Sequence, residues 1–191
     1  MFEGHIQPRV PLHNNYYNLI DKKTKMWQRD LAKKYGIYGF CYYHYWFNGK
    51  LLLVEPCEQI LHDKELDTPF CFSWANEAWT MAWVGKEKTL IPQFYGNKKE
   101  WKAHFDYLLP FFNDKRYIKE NGKPLFVIYR PESIPCLKEM LDCWRELAIE
   151  NGFPGIEVIN QSVTFALDKN SDKKNFDLEI EFEPSFSRRC M

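Results

Sequence analysis

An α/β fold, specifically an incomplete (β/α)8 TIM-type barrel with about five parallel strands, is what this sequence predicts, and three observations lead there. Short apolar and aromatic runs of strand length alternate with amphipathic helical stretches, the pattern of βαβ units on a parallel sheet. Polar and aromatic residues pile up where strands should end, at Tyr45-Trp46-Phe47-Asn48, Asn76-Glu77 and Arg130-Pro131-Glu132. No glycine-rich phosphate loop follows any strand, which disfavours a doubly wound nucleotide-binding sheet. The 191 residues read as one domain over 1–191. That is short of the roughly 250 a full barrel uses, in keeping with the strand shortfall.

The elements follow in order. Residues 24–35 carry Trp27, Leu31 and Tyr35 at helical spacing, with Gly36 as a natural C-cap. Residues 37–43 (IYGFCYY) form the first strand, and Asn48-Gly49 signals a turn. A short helix over 56–61 has Pro56 near its start, and 68–75 (TPFCFSWA) give the second strand. Asn97-Lys98-Lys99-Glu100 resembles a capping box ahead of Trp101, Phe105, Leu108 and Phe112 on one helical stripe. Asn121-Gly122 turns into a strand buried on both faces at 124–129. Ser133 is a candidate cap for a helix bearing Leu137, Leu141, Trp144 and Ala148, closed by Asn151-Gly152. Two further strands follow, at 155–160 and 176–182. Glu179, Glu181 and Glu183 alternate on the last one, as on an exposed edge or the wet mouth of a barrel.

Composition removes several classes. Lys+Arg and Asp+Glu stand at 26 each, so no net field recruits nucleic acid or an anionic membrane. No apolar run approaches the roughly 20 residues a membrane span needs. The first residues have neither a basic nor an apolar leader pattern, and the six cysteines form no C-x-x-C or zinc spacing. Reduced thiols and a cytoplasmic location are the expectation, with Cys41 and Cys71 acting as small hydrophobes inside apolar runs. Aromatics make up 17 % of the chain, and they serve either a core or the stacking wall of a sugar cleft.

Carboxylate chemistry without a cofactor or metal remains, because no G-x-S-x-G, H-E-x-x-H or P-loop is present. On the second strand, period-2 parity separates Cys71, Ser73, Ala75 and Glu77 from the bulky Phe70, Phe72, Trp74 and Asn76. If the bulky face packs on helices, Glu77 projects at the C-terminal mouth as an acid, base or hydroxyl ligand; alternatively it is a solvated loop residue beside two core indoles. Around it, His44, Tyr45, Trp46 and Asn48 crowd a strand end, although a lone His44 more often belongs to a core. Trp74, Asn76 and Trp79 flank Glu77. Arg130 follows a buried strand and either clamps a ligand or pairs with Glu132. His5, Gln7 and Arg9 lie in a polar extended segment and are weak candidates by themselves.

Five stretches carry a resemblance: Gly4-His5-Ile6-Gln7-Pro8-Arg9, residues 35–41, Tyr45-Trp46-Phe47-Asn48-Gly49-Lys50, Trp74-Ala75-Asn76-Glu77-Ala78-Trp79-Thr80, and Gly122-Lys123-Pro124-Leu125 with Tyr129-Arg130-Pro131. In order and spacing they resemble the WbsX-like family, described as glycosyltransferase-like and found in polysaccharide biosynthesis clusters. Its domain is similar to the family-99 glycoside hydrolases, endo-acting α-mannan enzymes with a (β/α)8 barrel and carboxylate catalysis. The resemblance implies a glycan or sugar-nucleotide substrate; among the residues present Glu77 is the catalytic candidate, and His5, Gln7, Arg9, His44, Tyr45, Trp46, Asn48, Trp74, Asn76, Trp79 and Arg130 are the candidate substrate contacts. Members of the family also carry an opening strand and a later N-E-W-x-E-G segment, and neither matches here. The expectation is therefore a partial barrel whose main catalytic carboxylates lie elsewhere, with a non-catalytic carbohydrate-binding remnant as the alternative.

Overall fold

The computed structural model describes residues 4–5, 9–81, 85, 88–163 and 173–182. Four α-helices and nine strands are present among them: α1 (Lys22–Lys34), β1 (Phe40–Phe47), β2 (Lys50–Leu52), α2 (Glu55–His62), β3 (Phe70–Trp74), β4 (Trp79–Thr80), β5 (Thr89–Ile91), α3 (Lys98–Asn113), β6 (Lys119–Glu120), β7 (Lys123–Ile128), α4 (Leu137–Glu150), β8 (Glu157–Ser162) and β9 (Leu178–Glu181). Strands β1, β3, β7, β8 and β9 pair in parallel in that order. The antiparallel β2 and β6 are hairpin partners of β1 and β7, and β4–β5 form a separate ribbon. The five expected parallel strands are thus present in chain order. Closure into a barrel is not among the pairings.

Sequential order with right-handed crossovers sends every connecting helix to the same side of the sheet. The burial pattern agrees. Phe70, Phe72 and Trp74 of β3, Phe126 and Ile128 of β7 and Val158 of β8 join Phe105, Leu108, Phe112, Leu141 and Trp144 of α3 and α4 in one core. The bulky face of β3 therefore meets the helices, as its alternation predicted. On the other face Ser73 Oγ donates to Gln161 Oε1 at 3.1 Å, although β7 lies between their strands. Tyr43 and Tyr129 likewise meet edge-on at 6.1 Å across β3. Side chains two strands apart converge this way on a concave surface.

Local chemistry accounts for the boundaries. The capping box is formed: Lys99 N donates to Asn97 Oδ1 at 3.0 Å and Asn97 N to Glu100 Oε2 at 2.7 Å. Asn48 and Gly49 have φ of 47° and 91°, the left-handed pair that a two-residue hairpin turn requires. Ser133 does not cap α4. It lies in a 3-10 turn, because Pro135 holds Ile134 extended and delays the helix to Leu137. The main correction concerns β1, which runs four residues past the expected end at 43 and carries His44–Phe47 into the sheet.

At the N-terminal ends of the strands, Arg116 organises the loops. It donates to the carbonyls of Ile60, Asp63 and Leu66 at 2.7, 2.9 and 2.7 Å and pairs with Asp114. These contacts serve carbonyls at and beyond the end of α2, of which that of Asp63 also accepts from Leu66 N at 3.4 Å. The Arg116 side chain holds the Asp114 carboxyl far below the usual carboxylate range. No helix of the described residues is long and apolar enough to cross a membrane.

Candidate functional site

The extension of β1 splits the expected site residues by parity. Odd residues Tyr43, Tyr45 and Phe47 face the concave side with Ser73, while His44 and Trp46 turn to the helices. His44, Trp46 and Trp74 are 4, 7 and 2 % exposed. The Nε2 atoms of His44 and His104 lie 2.8 Å apart, so one ring donates and the other accepts. Burial pushes His44 down to about 3 and His104 well below its ordinary value, so both rings are neutral. Trp46 stacks on His104 at 4.5 Å, and Trp74 Nε1 donates to the Trp46 carbonyl at 3.2 Å. Between Trp46, Asn48, Trp74, Tyr95, Trp101 and His104 there is a cavity of about 10 Å³, room for no more than a water. His44, Trp46 and Trp74 therefore build the core and not a sugar cleft, and Asn48 serves the β1–β2 turn.

The other candidates come together at the C-terminal ends of β3 and β7. Asn76 is fully buried and grips Arg130 at two points: its Nδ2 donates to the Arg130 carbonyl at 2.7 Å, and its Oδ1 accepts from Arg130 N at 2.8 Å. Tyr95 donates its hydroxyl to the Asn76 carbonyl at 2.9 Å, tying the loop after β5 to the same point. Held there, the Arg130 guanidinium bridges two carboxylates, Nε to Glu132 and Nη1 to Glu77. Burial works against the Arg130 charge, yet Glu132 and Glu77 together raise its pKa. Of the two readings of Arg130, the pairing with Glu132 is formed, and Glu77 shares the same guanidinium.

Glu77 and Glu132 differ sharply. The Glu132 side chain is 7 % exposed, and that of Glu77 is 40 % exposed, so Glu77 is the carboxylate presented to solvent. Beside it stands an aromatic wall. Tyr129 neighbours Glu77 and meets Tyr43 edge-on; burial first and the Glu77 charge next raise its phenol pKa. Tyr43 leans on Tyr45 at 6.3 Å, and Tyr45 and Phe47 meet the Trp79 ring edge-on at 5.6 and 5.7 Å. Half-buried rings with the exposed Tyr43, beside one solvent-facing carboxylate, can stack on the apolar face of a pyranose while the carboxylate accepts from its hydroxyls. Three members stand outside the sequence's site candidates: Tyr43, Tyr129, and Glu132, which entered only as a possible partner of Arg130. The parity of β1 would have indicated Tyr43, given the correct strand end.

His5 and Arg9 are exposed in the segment before α1, and Gln7 lies outside the described residues. No cluster of three or more His, Cys, Asp or Glu able to hold a metal occurs among the described residues.

Comparison with known proteins places the chain in a family. The chain is 31 % identical over 187 residues to the "Uncharacterized protein WxcX" of two strains of Xanthomonas campestris pv. campestris, matching 97 % of itself and 26 % of each relative. It spans, then, about a quarter of the length of these relatives. Among solved structures it is similar in fold to a "Glycoside hydrolase-like protein", with a TM-score of 0.57 at 10 % identity, covering 95 % of this chain and 60 % of that one. The model of the family described as "Glycosyltransferase WbsX" matches residues 1–190, and the chain belongs to that family.

Proposed function

We propose that this chain is the glycan-handling part of a carbohydrate-active (β/α)8 barrel protein acting in polysaccharide biosynthesis or processing. The observation that carries the reading is the solvent-facing Glu77, anchored through Arg130 to buried Glu132 and walled by Tyr43, Tyr45, Trp79 and Tyr129 at the C-terminal ends of parallel strands. That end is where barrel enzymes place their chemistry. Family membership and the glycoside-hydrolase-like fold support the same class. Chain-ordered parallel strands with helices on one face and a concave opposite face support the barrel. In that reading, further strands pair with the outer edge of β9 and with that of β1 ahead of its β2 hairpin. They would cover Leu178, Ile180 and the apolar groove of about 580 Å³ lined by Trp27, Leu31, Tyr35, Ile37, Phe40 and Tyr42. A cytoplasmic location belongs to the same reading.

Glu77 acts here as acid, base or hydroxyl ligand, and no cofactor enters the scheme. A second reading, binding without catalysis, is favoured by one fact. Hydrolysis at a glycosidic bond commonly uses two carboxylates facing the bond, and Glu132 is buried against Arg130, leaving Glu77 alone in this cluster. The test is to assay hydrolysis of α-mannan oligosaccharides and transfer from sugar nucleotides by the purified chain and by a longer family member. Turnover by the longer protein and binding alone by the chain is the expected result. Turnover by the chain itself would make Glu77 the working carboxylate. Absence of both binding and turnover in the longer protein would end the carbohydrate reading.

A further inference from the structure

Cys41 on β1 and Cys71 on β3 are direct register partners in the parallel ladder, so their side chains leave the same, concave face next to one another. Neighbouring strands lie about 4.8 Å apart, inside the roughly 4.4–6.8 Å between Cα atoms that a disulfide bridges. Both thiols are free. Their exposures are opposite: Cys41 is exposed, and Cys71 is buried beside the core. Both stand in apolar runs as reduced thiols, and Cys41 is the open one because the run around it alternates between a helix-facing and an open side.

We infer that Cys41 and Cys71 form a redox-active dithiol site that takes small-molecule disulfides as its substrate class, with Cys41 the attacking thiol and Cys71 the resolving one. In the first step the Cys41 thiolate attacks one sulfur of R–S–S–R. A Cys41–S–S–R bond forms, the small disulfide bond breaks, and one RS⁻ leaves and takes a proton. In the second step Cys71 gives up its proton and attacks the Cys41 sulfur, expelling the second RS⁻. Two protein thiols are oxidised to one disulfide and one R–S–S–R is reduced to two thiols, so the step balances without any other reagent. The division of labour follows from the pair. The hydrogen bond from Cys71 holds the Cys41 thiol below its ordinary value, favouring the thiolate at the exposed sulfur. The same bond, and then burial, hold Cys71 up. Cys41 and Cys71 precede Tyr43 and Ser73 by two residues on the same face, so the bridge would pin β1 to β3 directly beneath the aromatic wall.

The 191-residue chain is equilibrated in buffers of glutathione and glutathione disulfide, quenched with an alkylating agent and mapped by peptide mass. The expected product is a Cys41–Cys71 disulfide, with buried Cys57 and Cys143 alkylated only after unfolding. Cys71→Ser should stop at a Cys41–glutathione adduct, and Cys41→Ser should yield neither species. Circular dichroism checks that each variant keeps its fold. A wild-type protein that accumulates the Cys41 adduct without the bridge, or whose Cys41 stays reduced in the most oxidising buffer while folded, would overturn the inference.

Discussion

Asn76 and Arg130, 54 residues apart, hold each other by a two-point clasp in which the Asn76 amide serves both the N–H and the carbonyl of Arg130. This clasp joins the ends of β3 and β7 and fixes where the Glu77–Arg130–Glu132 chain can form. Asn76→Ala would leave the Arg130 N–H without its acceptor, at roughly 1–3 kcal/mol, and take one of two donors from the Arg130 carbonyl, which keeps the Ser133 N–H. A loss of about 1–3 kcal/mol in urea unfolding is expected, along with weaker glycan binding. Asn76→Asp keeps the acceptor but turns a carboxyl oxygen toward the Arg130 carbonyl at a buried position, so it should lose at least as much. Equal stability in all three proteins would show that the clasp is not formed in solution.

Glu77→Gln should behave differently. The side chain is partly exposed, and exposed ion pairs contribute about 0–1 kcal/mol, so the melting temperature should barely move. Sugar binding, or turnover in a longer family member, should drop at least tenfold. A glycan titration of the two proteins side by side checks this. A large stability loss with unchanged binding would make Glu77 a structural partner of Arg130 and nothing more.

Trp79→Ala removes the ring on which Tyr45 and Phe47 lean. Because Trp79 lies on the β4–β5 ribbon, outside the main core, the expected stability cost stays under about 2 kcal/mol while glycan affinity falls. Intrinsic fluorescence during sugar titration provides the readout, and an unaltered dissociation constant would remove Trp79 from the site.

The buried His44–His104 pair makes stability depend on pH, and the sign is fixed. His44 has its pKa lowered from 6.5 to about 3 by burial, so the unfolded chain binds a proton that the folded chain refuses. The stabilisation is fully present above about pH 6.5 and is lost as pH falls toward 3. His104, lowered in the same direction, adds to the slope. Each histidine contributes up to about 1.4 kcal/mol per pH unit. Urea unfolding between pH 7 and 5 should show this decline, and a His44→Phe/His104→Leu double variant should flatten it. The same slope in the double variant would assign it to other groups.

Arg116→Met should be among the most destabilising single changes. It strips donors from three carbonyls and leaves Asp114, 4 % exposed, with Lys64 and the backbone N–H of residue 116. About 3–5 kcal/mol is the range for breaking a buried ion pair from one side. Glycan contacts at the opposite end of the strands should survive in any fraction that stays folded, which a binding assay at low temperature can read.

The alternation of helix and strand, the five parallel strands, the Asn97–Glu100 capping box, the Asn48-Gly49 turn and the inward bulky face of β3 were legible in the chain by itself. Each rests on short-range geometry: residue parity, φ preference or a side chain reaching its own helix end. Tertiary structure alone decided what those elements do. β1 continues to Phe47 because β3 and β2 offer its backbone partners, and this places His44 and Trp46 against α3 instead of in a cleft. Arg130 became the bridge between Glu77 and Glu132 because Asn76 of another strand grips its backbone. Cys41 met Cys71 through strand register alone. In each case the outcome depends on a neighbour tens of residues away in the chain, and the free energy of a contact belongs to the pair, not to either local pattern.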